Sequence, residues 1–295
     1  MEPTAAPPQA LPEIPVGKFW RLRVFATTAV ALLATWPLFA LCGHQSRWQP
    51  LCRRVRRWGS NGVMAVNGLP VVLTQTVDID WDIPYVICPN HASYLDMSAL
   101  MRALPRDGVF LSKTDVAEMP LIGIYSRTVD IPVSRECPRQ AMGALERALR
   151  VLAAGTSVIV FPEGAFAGPP ERTSHFFNGA FKLAIKAGVP VLPVTLVNTW
   201  NILPDGIDAG APGPVEVIVH ADVTGLQVRH RWGTTEDVLS LRDRVRAVVQ
   251  AGLDSRCATD TYRNRWNGLP LGPESIPEYT RVTPYLRALL AGKVR

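Results

Sequence analysis

The sequence predicts an α/β fold: a largely parallel or mixed sheet flanked by helices, preceded by an N-terminal membrane-anchoring helical segment. Beyond Asp82, short apolar runs bounded by Gly, Pro or Asn alternate with stretches of helical period. Such alternation builds βα units, in which helices cover a sheet whose strands run mostly in one direction. The second observation lies upstream, where no charged residue occurs from Val24 to Gly43. As a helix, that stretch reaches across about 30 Å of bilayer hydrocarbon.

Residues 1–17 are rich in Pro and Ala without periodicity and read as a flexible tail. Residues 18–66 make the anchoring region. Cleavage as a signal peptide is disfavoured, because Leu38 and Leu41 occupy the minus-three places for cuts after Ala40 and Gly43, where small residues are needed. A buried core helix is the other alternative to an anchor, since Pro37, Thr27 and Thr28 weaken a span. Next, Trp48, Leu51, Val55 and Trp58 share one helical face while Arg53, Arg54, Arg56 and Arg57 cover the other. That is the pattern of an interfacial helix whose arginines meet anionic headgroups. The Arg run from Arg47 to Arg57 outweighs Lys18, Arg21 and Arg23 on the other flank, which places the following domain at the cytoplasmic face of an inner membrane.

Residues 67–255 form the α/β domain. Tyr85–Cys88, Val109–Leu111, Ser157–Phe161, Val191–Val197 and Val215–Val219 read as strands. Ser93–Ala103, Val116–Ser126, Gln140–Ala153, Gly179–Ala187 and Asp237–Leu253 read as helices. Residues 256–295 form a C-terminal extension, Pro-rich from Asn267, that resists assignment.

A hydrophobic fraction of 47% excludes a disordered chain. The net charge of +6 fits an anionic membrane surface, an anionic substrate or nucleic acid, and selects none of them. Cysteines at 42, 52, 88, 137 and 257 are odd in number and include no C-x-x-C pair, so neither a disulfide framework nor a zinc site is expected. Unpaired thiols suit a reducing cytosolic face.

No G-x-S-x-G elbow, G-x-G-x-x-G turn, Walker loop or H-E-x-x-H occurs, which removes the commonest hydrolase, dinucleotide, nucleotide and zinc-protease readings. What remains is Asn90-His91-Ala92-Ser93-Tyr94-Leu95-Asp96, directly after a strand and before a helix. Open α/β sheets place their ligands at that carboxyl edge. A helix N-terminus there disfavours imidazolium, which keeps His91 a proton acceptor, and Asp96 is near enough to orient the ring. Ser93 and Asp96 also match a capping box, in which the carboxylate only satisfies a backbone donor. A second constellation, Phe161-Pro162-Glu163-Gly164, again follows an apolar strand, and a carboxylate followed by Gly can sit in a turn open to a polar ligand. Alone, it is also ordinary turn chemistry.

Taken together, Asn90-His91 with Asp96, Phe161-Pro162-Glu163-Gly164, and Val189-Pro190-Val191-Leu192-Pro193-Val194 resemble the glycerolipid acyltransferase family that includes lysophosphatidic acid acyltransferases. The resemblance runs from Pro84 to Asp205. It implies that His91 is the general base and Asp96 its orienter, and that Glu163 and Gly164 belong to the substrate site. It further identifies Ile131-Pro132-Val133-Ser134-Arg135 as the block whose Arg135 binds the acceptor phosphate, with Lys113 as a second basic contact. A planar guanidinium donates to phosphate in pairs, and an ammonium adds a point charge.

After Gly164 the family usually has Thr and often Arg, whereas this chain has Ala165 and Phe166. Arg172 or His175 is the candidate replacement for that acceptor contact. The implied reaction moves a fatty acyl group from acyl-CoA or acyl carrier protein to a lysophospholipid hydroxyl, 1-acyl-sn-glycerol-3-phosphate first, giving phosphatidic acid. Lyso-ornithine lipid is the alternative acceptor, and a catalytically inactive membrane-tethered binding protein the alternative class. The partners implied are these substrates and membrane lipids, without nucleic acid, metal or further cofactor.

Overall fold

The side chains of Tyr85 and Ile87 enter one apolar cluster and those of Val86 and Cys88 another, as the two-residue period of a strand requires. A central strand apolar on both sides needs helices on both faces of its sheet. The computed structural model, which describes residues 18–134, 137–166, 172–205, 210–223 and 234–257, shows that arrangement. The expected 1–17 tail and all but the first residues of the 256–295 extension lie outside the described residues.

Among the described residues, the strands are β1 (Val71–Gln75), β2 (Val86–Pro89), β3 (Gly108–Lys113), β4 (Ile131–Val133), β5 (Ser157–Ile159), β6 (Val191–Leu196) and β7 (Val215–Val219). They form one sheet in the order β1-β7-β6-β2-β5-β3-β4. Every neighbouring pair is parallel except β6 and β7, so the sheet is mixed and largely parallel. The carboxyl ends of β2, β5, β3 and β4 therefore share one edge.

One face is covered by α1 (Lys18–Cys42), α2 (Gln49–Val66) and α3 (Asp96–Ala103), which contribute Trp20, Val24, Met64, Ala99 and Leu100 to the core. The other is covered by α6 (Pro138–Ala153), α7 (Gly179–Ala187) and α9 (Thr235–Cys257), through Ala144, Ala148, Phe181, Ala184 and Val245. The single helix expected at Val116–Ser126 is two, α4 (Thr114–Glu118) and α5 (Gly123–Thr128). Met119, restrained by Pro120, turns extended at ψ 138° and ends α4. The short α8 (Thr199–Ile202) follows β6.

The apolar helix α1 is long and apolar enough to cross a membrane, and only 11% of that stretch is buried, unlike a core helix. It nevertheless touches the domain near both ends. The Trp20 indole donates to the Leu-preceding carbonyl of Ile202 at 2.8 Å, and Phe39 packs with Ile124 and Tyr125. Its other side exposes Phe19, Leu22, Val30, Leu33 and Leu41.

The arginines of α2 correct the expected interfacial picture. Cys52, Arg56, Ser60, Val63 and Met64 form its buried side. Arg56 donates to Asp130 at 2.5 Å and to the Gly108 carbonyl at 2.9 Å, and Arg57 donates to Asp107 at 2.5 Å. These two guanidiniums hold α2 to the sheet rather than meeting headgroups, because carboxylates from the domain compensate their desolvation. Arg54 and Trp58 remain on the exposed side.

Candidate active site

The loop after β2 is fixed before its chemistry is considered. Asn90 donates from Nδ2 to the Leu196 carbonyl at 2.9 Å and accepts the Leu196 amide on Oδ1 at 2.7 Å. Its side chain thus supplies a rung between β2 and β6 where the strand leaves the sheet. Ser93 donates its hydroxyl to the Leu203 carbonyl at 2.6 Å, and its backbone bridges to Pro204. With these anchors the chain turns between His91 and Leu95, and α3 begins at Asp96, later than periodicity indicates.

Asp96 is fully buried, and one oxygen, Oδ2, receives three donors: His91 Nδ1 at 2.7 Å, the Ala92 amide at 2.7 Å and the Ser93 amide at 2.9 Å. The Ser93 bond is the backward half of a capping box. The forward half is replaced, since Ser93 Oγ accepts the Leu95 amide at 3.2 Å. Capping and ring orientation are therefore combined in one carboxylate. Two backbone N–H groups donate to that oxygen, and a third contact in which imidazole N–H donates to it puts the ring proton on Nδ1 and the lone pair on Nε2. The His91 side chain is 19% exposed, whereas that of Asp96 is fully buried.

Glu163 follows β5 on the same edge. Gly164 takes φ +74°, a conformation natural only to Gly, and the turn folds the Glu163 carboxylate inward. At 4% exposure it accepts the His91 amide on Oε1 at 2.9 Å and the Ser174 amide on Oε2 at 2.7 Å. Burial pushes its carboxyl above the ordinary range, against the lowering effect of the bonds from Ser174 and His91. It ties the loop after β2 to the segment leading into α7. Sequence reasoning gave no role to Ser174, whose amide has no side-chain signature, and none to Asn90 beyond its place in the motif.

Aromatic rings surround the imidazole. Phe161 stacks on His91 with centroids 3.8 Å apart and planes at 19°, and Phe110 stacks behind Phe161 at 6.3 Å. Phe166 meets His91 at 4.4 Å. Lys113 ends β3, opposite Val133 of β4 in the ladder, with its side chain 41% exposed and its ammonium 2.6 Å from Asp115. Only β5 separates β3 from β2, so the strand bearing Lys113 lies about 10 Å from the one leading to His91. Arg135 lies outside the described residues, two positions past the end of β4. Arg172 and His175 are exposed, and His175 stands edge-on to Phe177. No three His, Cys, Asp or Glu side chains converge as metal ligands among the described residues.

A buried carboxylate hydrogen-bonded to a partly exposed imidazole is an arrangement that can remove a proton from a hydroxyl. The segment that carries these residues is similar to known proteins. The family model described as Acyltransferase matches residues 70–197, which hold every site residue described above. The chain is 38% identical over 146 residues to the chloroplastic 1-acyl-sn-glycerol-3-phosphate acyltransferase of Brassica napus, covering 49% of this chain and 42% of that protein. Against the 1-acyl-sn-glycerol-3-phosphate acyltransferase of Borreliella burgdorferi it is 29% identical over 154 residues, covering 52% of this chain and 61% of that one. The match thus spans about two fifths to three fifths of those relatives. The crystal structure of the 1-acyl-sn-glycerophosphate acyltransferase from Thermotoga maritima superposes with a TM-score of 0.62 at 24% identity, over 81% of this chain and 95% of that one, and so shares the fold. Residues 70–197 of this chain thus match the family model described as Acyltransferase and are similar in sequence to 1-acyl-sn-glycerol-3-phosphate acyltransferases.

Proposed function

We propose that the chain is a membrane-attached O-acyltransferase that moves a fatty acyl group from a thioester, acyl-CoA or acyl carrier protein, to the free hydroxyl of a lysophospholipid. The acceptor read first is 1-acyl-sn-glycerol-3-phosphate, the substrate in the relatives' names. The observation that carries the reading is the 2.7 Å contact between His91 Nδ1 and buried Asp96. His91 Nε2 takes the acceptor's hydroxyl proton as its oxygen attacks the thioester carbonyl. When the tetrahedral intermediate collapses, the C–S bond breaks and the imidazolium returns the proton to the leaving thiolate. A positioned base contributes about 10² to 10⁴ in rate, and holding both substrates in place adds to that.

In this reading Glu163 positions the loop by its two amide contacts, and Gly164 permits the turn. Lys113 and Arg135 bind the acceptor phosphate. Attachment comes from the exposed side of α1, to which the exposed Trp58 and Arg54 of α2 add, while the contacts of Trp20 and Phe39 keep the helix along the domain. The cytoplasmic side of an inner membrane follows from the arginine excess after α1.

The test is to incubate the purified full chain in vesicles with labelled acyl-CoA or acyl carrier protein and a panel of lysolipids. Label passing into phosphatidic acid is the expected result. Label passing only into a phosphate-free lysolipid product would replace the acceptor assignment, and no transfer to any acceptor would overturn the enzyme reading.

A further inference from the structure

Four rings form an unbroken series from the apolar helix to the base. Phe25 of α1 meets Tyr94 edge-on at 5.7 Å, Tyr94 meets Phe166 edge-on at 4.9 Å, and Phe166 meets His91 at 4.4 Å. Phe25 and Tyr94 keep 38% and 48% of their surface open, although residues on either side of Tyr94, Ser93 and Leu95, are buried. Phe25 also continues the exposed apolar side of α1 formed by Phe19 and Leu22. Open aromatic faces that run from a lipid-facing helix to a catalytic ring offer a surface to an apolar chain.

We infer that Phe25, Tyr94 and Phe166 form a seat for the fatty acyl chain already carried by the lysolipid acceptor, with Phe166 as a specificity-determining residue. This rests on the acyltransferase reading above. In a 1-acyl lysolipid, the ester-linked chain begins on the carbon adjacent to the one bearing the free hydroxyl. With that hydroxyl at His91 Nε2, the chain starts within reach of Phe166 and runs over Tyr94 and Phe25 toward α1. The acceptor is a membrane lipid and approaches from the α1 side, whereas a CoA or carrier-protein thioester arrives from water. The seat is therefore assigned to the acceptor's chain and not to the donor's.

Each methylene fully removed from water contributes about fourfold in binding, and a chain covered on one side contributes less. The test uses the full chain in vesicles with two series: lysophosphatidic acids of increasing chain length at one donor, then donors of increasing length at one acceptor. In the native protein kcat/KM should rise with acceptor length. Phe166→Ala should lower the long-to-short acceptor ratio by about tenfold, Phe166→Trp should restore it, and the donor ratio should not move. Phe25→Ala, which leaves the rings touching His91 in place, should lower the acceptor ratio by a smaller factor. An unmoved acceptor ratio in Phe166→Ala and Phe25→Ala, in a protein that still transfers, would overturn the seat alone. A change confined to the donor series would overturn its assignment to the acceptor. Failure of the native protein to transfer to any lysolipid would remove the acyltransferase reading and the seat with it.

Discussion

The loop after β2 and the end of β3 lie on one edge of the same sheet, yet their charged groups are held in opposite ways. Around His91 the carboxylates are buried, with Asp96 at 0% and Glu163 at 4% exposure, and together they accept five N–H bonds from four residues in two loop segments. At the end of β3 the Lys113 ammonium is exposed and its ion-pair partner, Asp115, sits two residues along the same stretch. An exposed pair of this kind contributes about 0 to 1 kcal/mol, so a phosphate can take the ammonium from Asp115 at small cost. In the proposed reaction, then, the geometry for proton transfer is built into the fold, whereas recognition of the headgroup is completed by the ligand.

The contrast can be broken or sharpened by substitution, and the largest effect is expected at Asp96. Asp96→Asn can keep one oxygen on the two loop amides and His91 Nδ1, but it removes the negative charge that stabilises the imidazolium formed on proton transfer. Turnover should fall about 10²- to 10⁴-fold with the fold retained; a small loss in steady-state assays would show that proton transfer does not depend on this charge. Next is Arg56→Ala, which leaves the Asp130 carboxylate buried without its cation. Denaturant unfolding should show a loss of about 3 to 5 kcal/mol. The double replacement Arg56→Met with Asp130→Leu should recover most of it.

Glu163→Gln should cost about 1 to 3 kcal/mol, because an amide can accept one of the two backbone N–H groups but not both. Burial raises the Glu163 carboxyl, so folding favours its protonated form. Its contribution is fully present at acidic pH, below the ordinary carboxyl range, and is lost as pH rises through the raised folded value. The stability advantage over Glu163→Gln should accordingly shrink from acid to neutral pH in urea titrations, and an advantage that grows would contradict the burial effect. The smallest change is expected at Lys113. Lys113→Ala should raise KM for a phosphate-bearing acceptor by about tenfold or less, near 1 kcal/mol, with KM for the donor and kcat little altered.

How far the sequence revealed these features depends on how local their causes are. Strands β2, β6 and β7 were legible as apolar runs, and β7 at its full length, because both their faces are buried. The outermost strands were harder. β1 carries a mostly exposed pattern, and β4 has only three residues, visible chiefly through the family block that contains it. The His91 and Asp96 spacing was legible, while capping and catalysis remained open because one oxygen both caps the helix and holds the imidazole. The inward turn of Glu163 was hidden, since Pro-Glu-Gly gives the same turn whichever way the carboxylate points. Arg56 was misplaced for a similar reason: its charge indicates a solvent face, and Asp130, which makes burial tolerable, is 74 residues away in sequence.

The most direct test of the central claim is single-turnover acyl transfer by His91→Ala, with thermal unfolding measured on the same preparation. The account predicts a folded protein whose turnover is at least about 10²-fold below the native value. A folded His91→Ala protein that kept more than about a tenth of native turnover would fall outside the range expected of a general base and would contradict the mechanism.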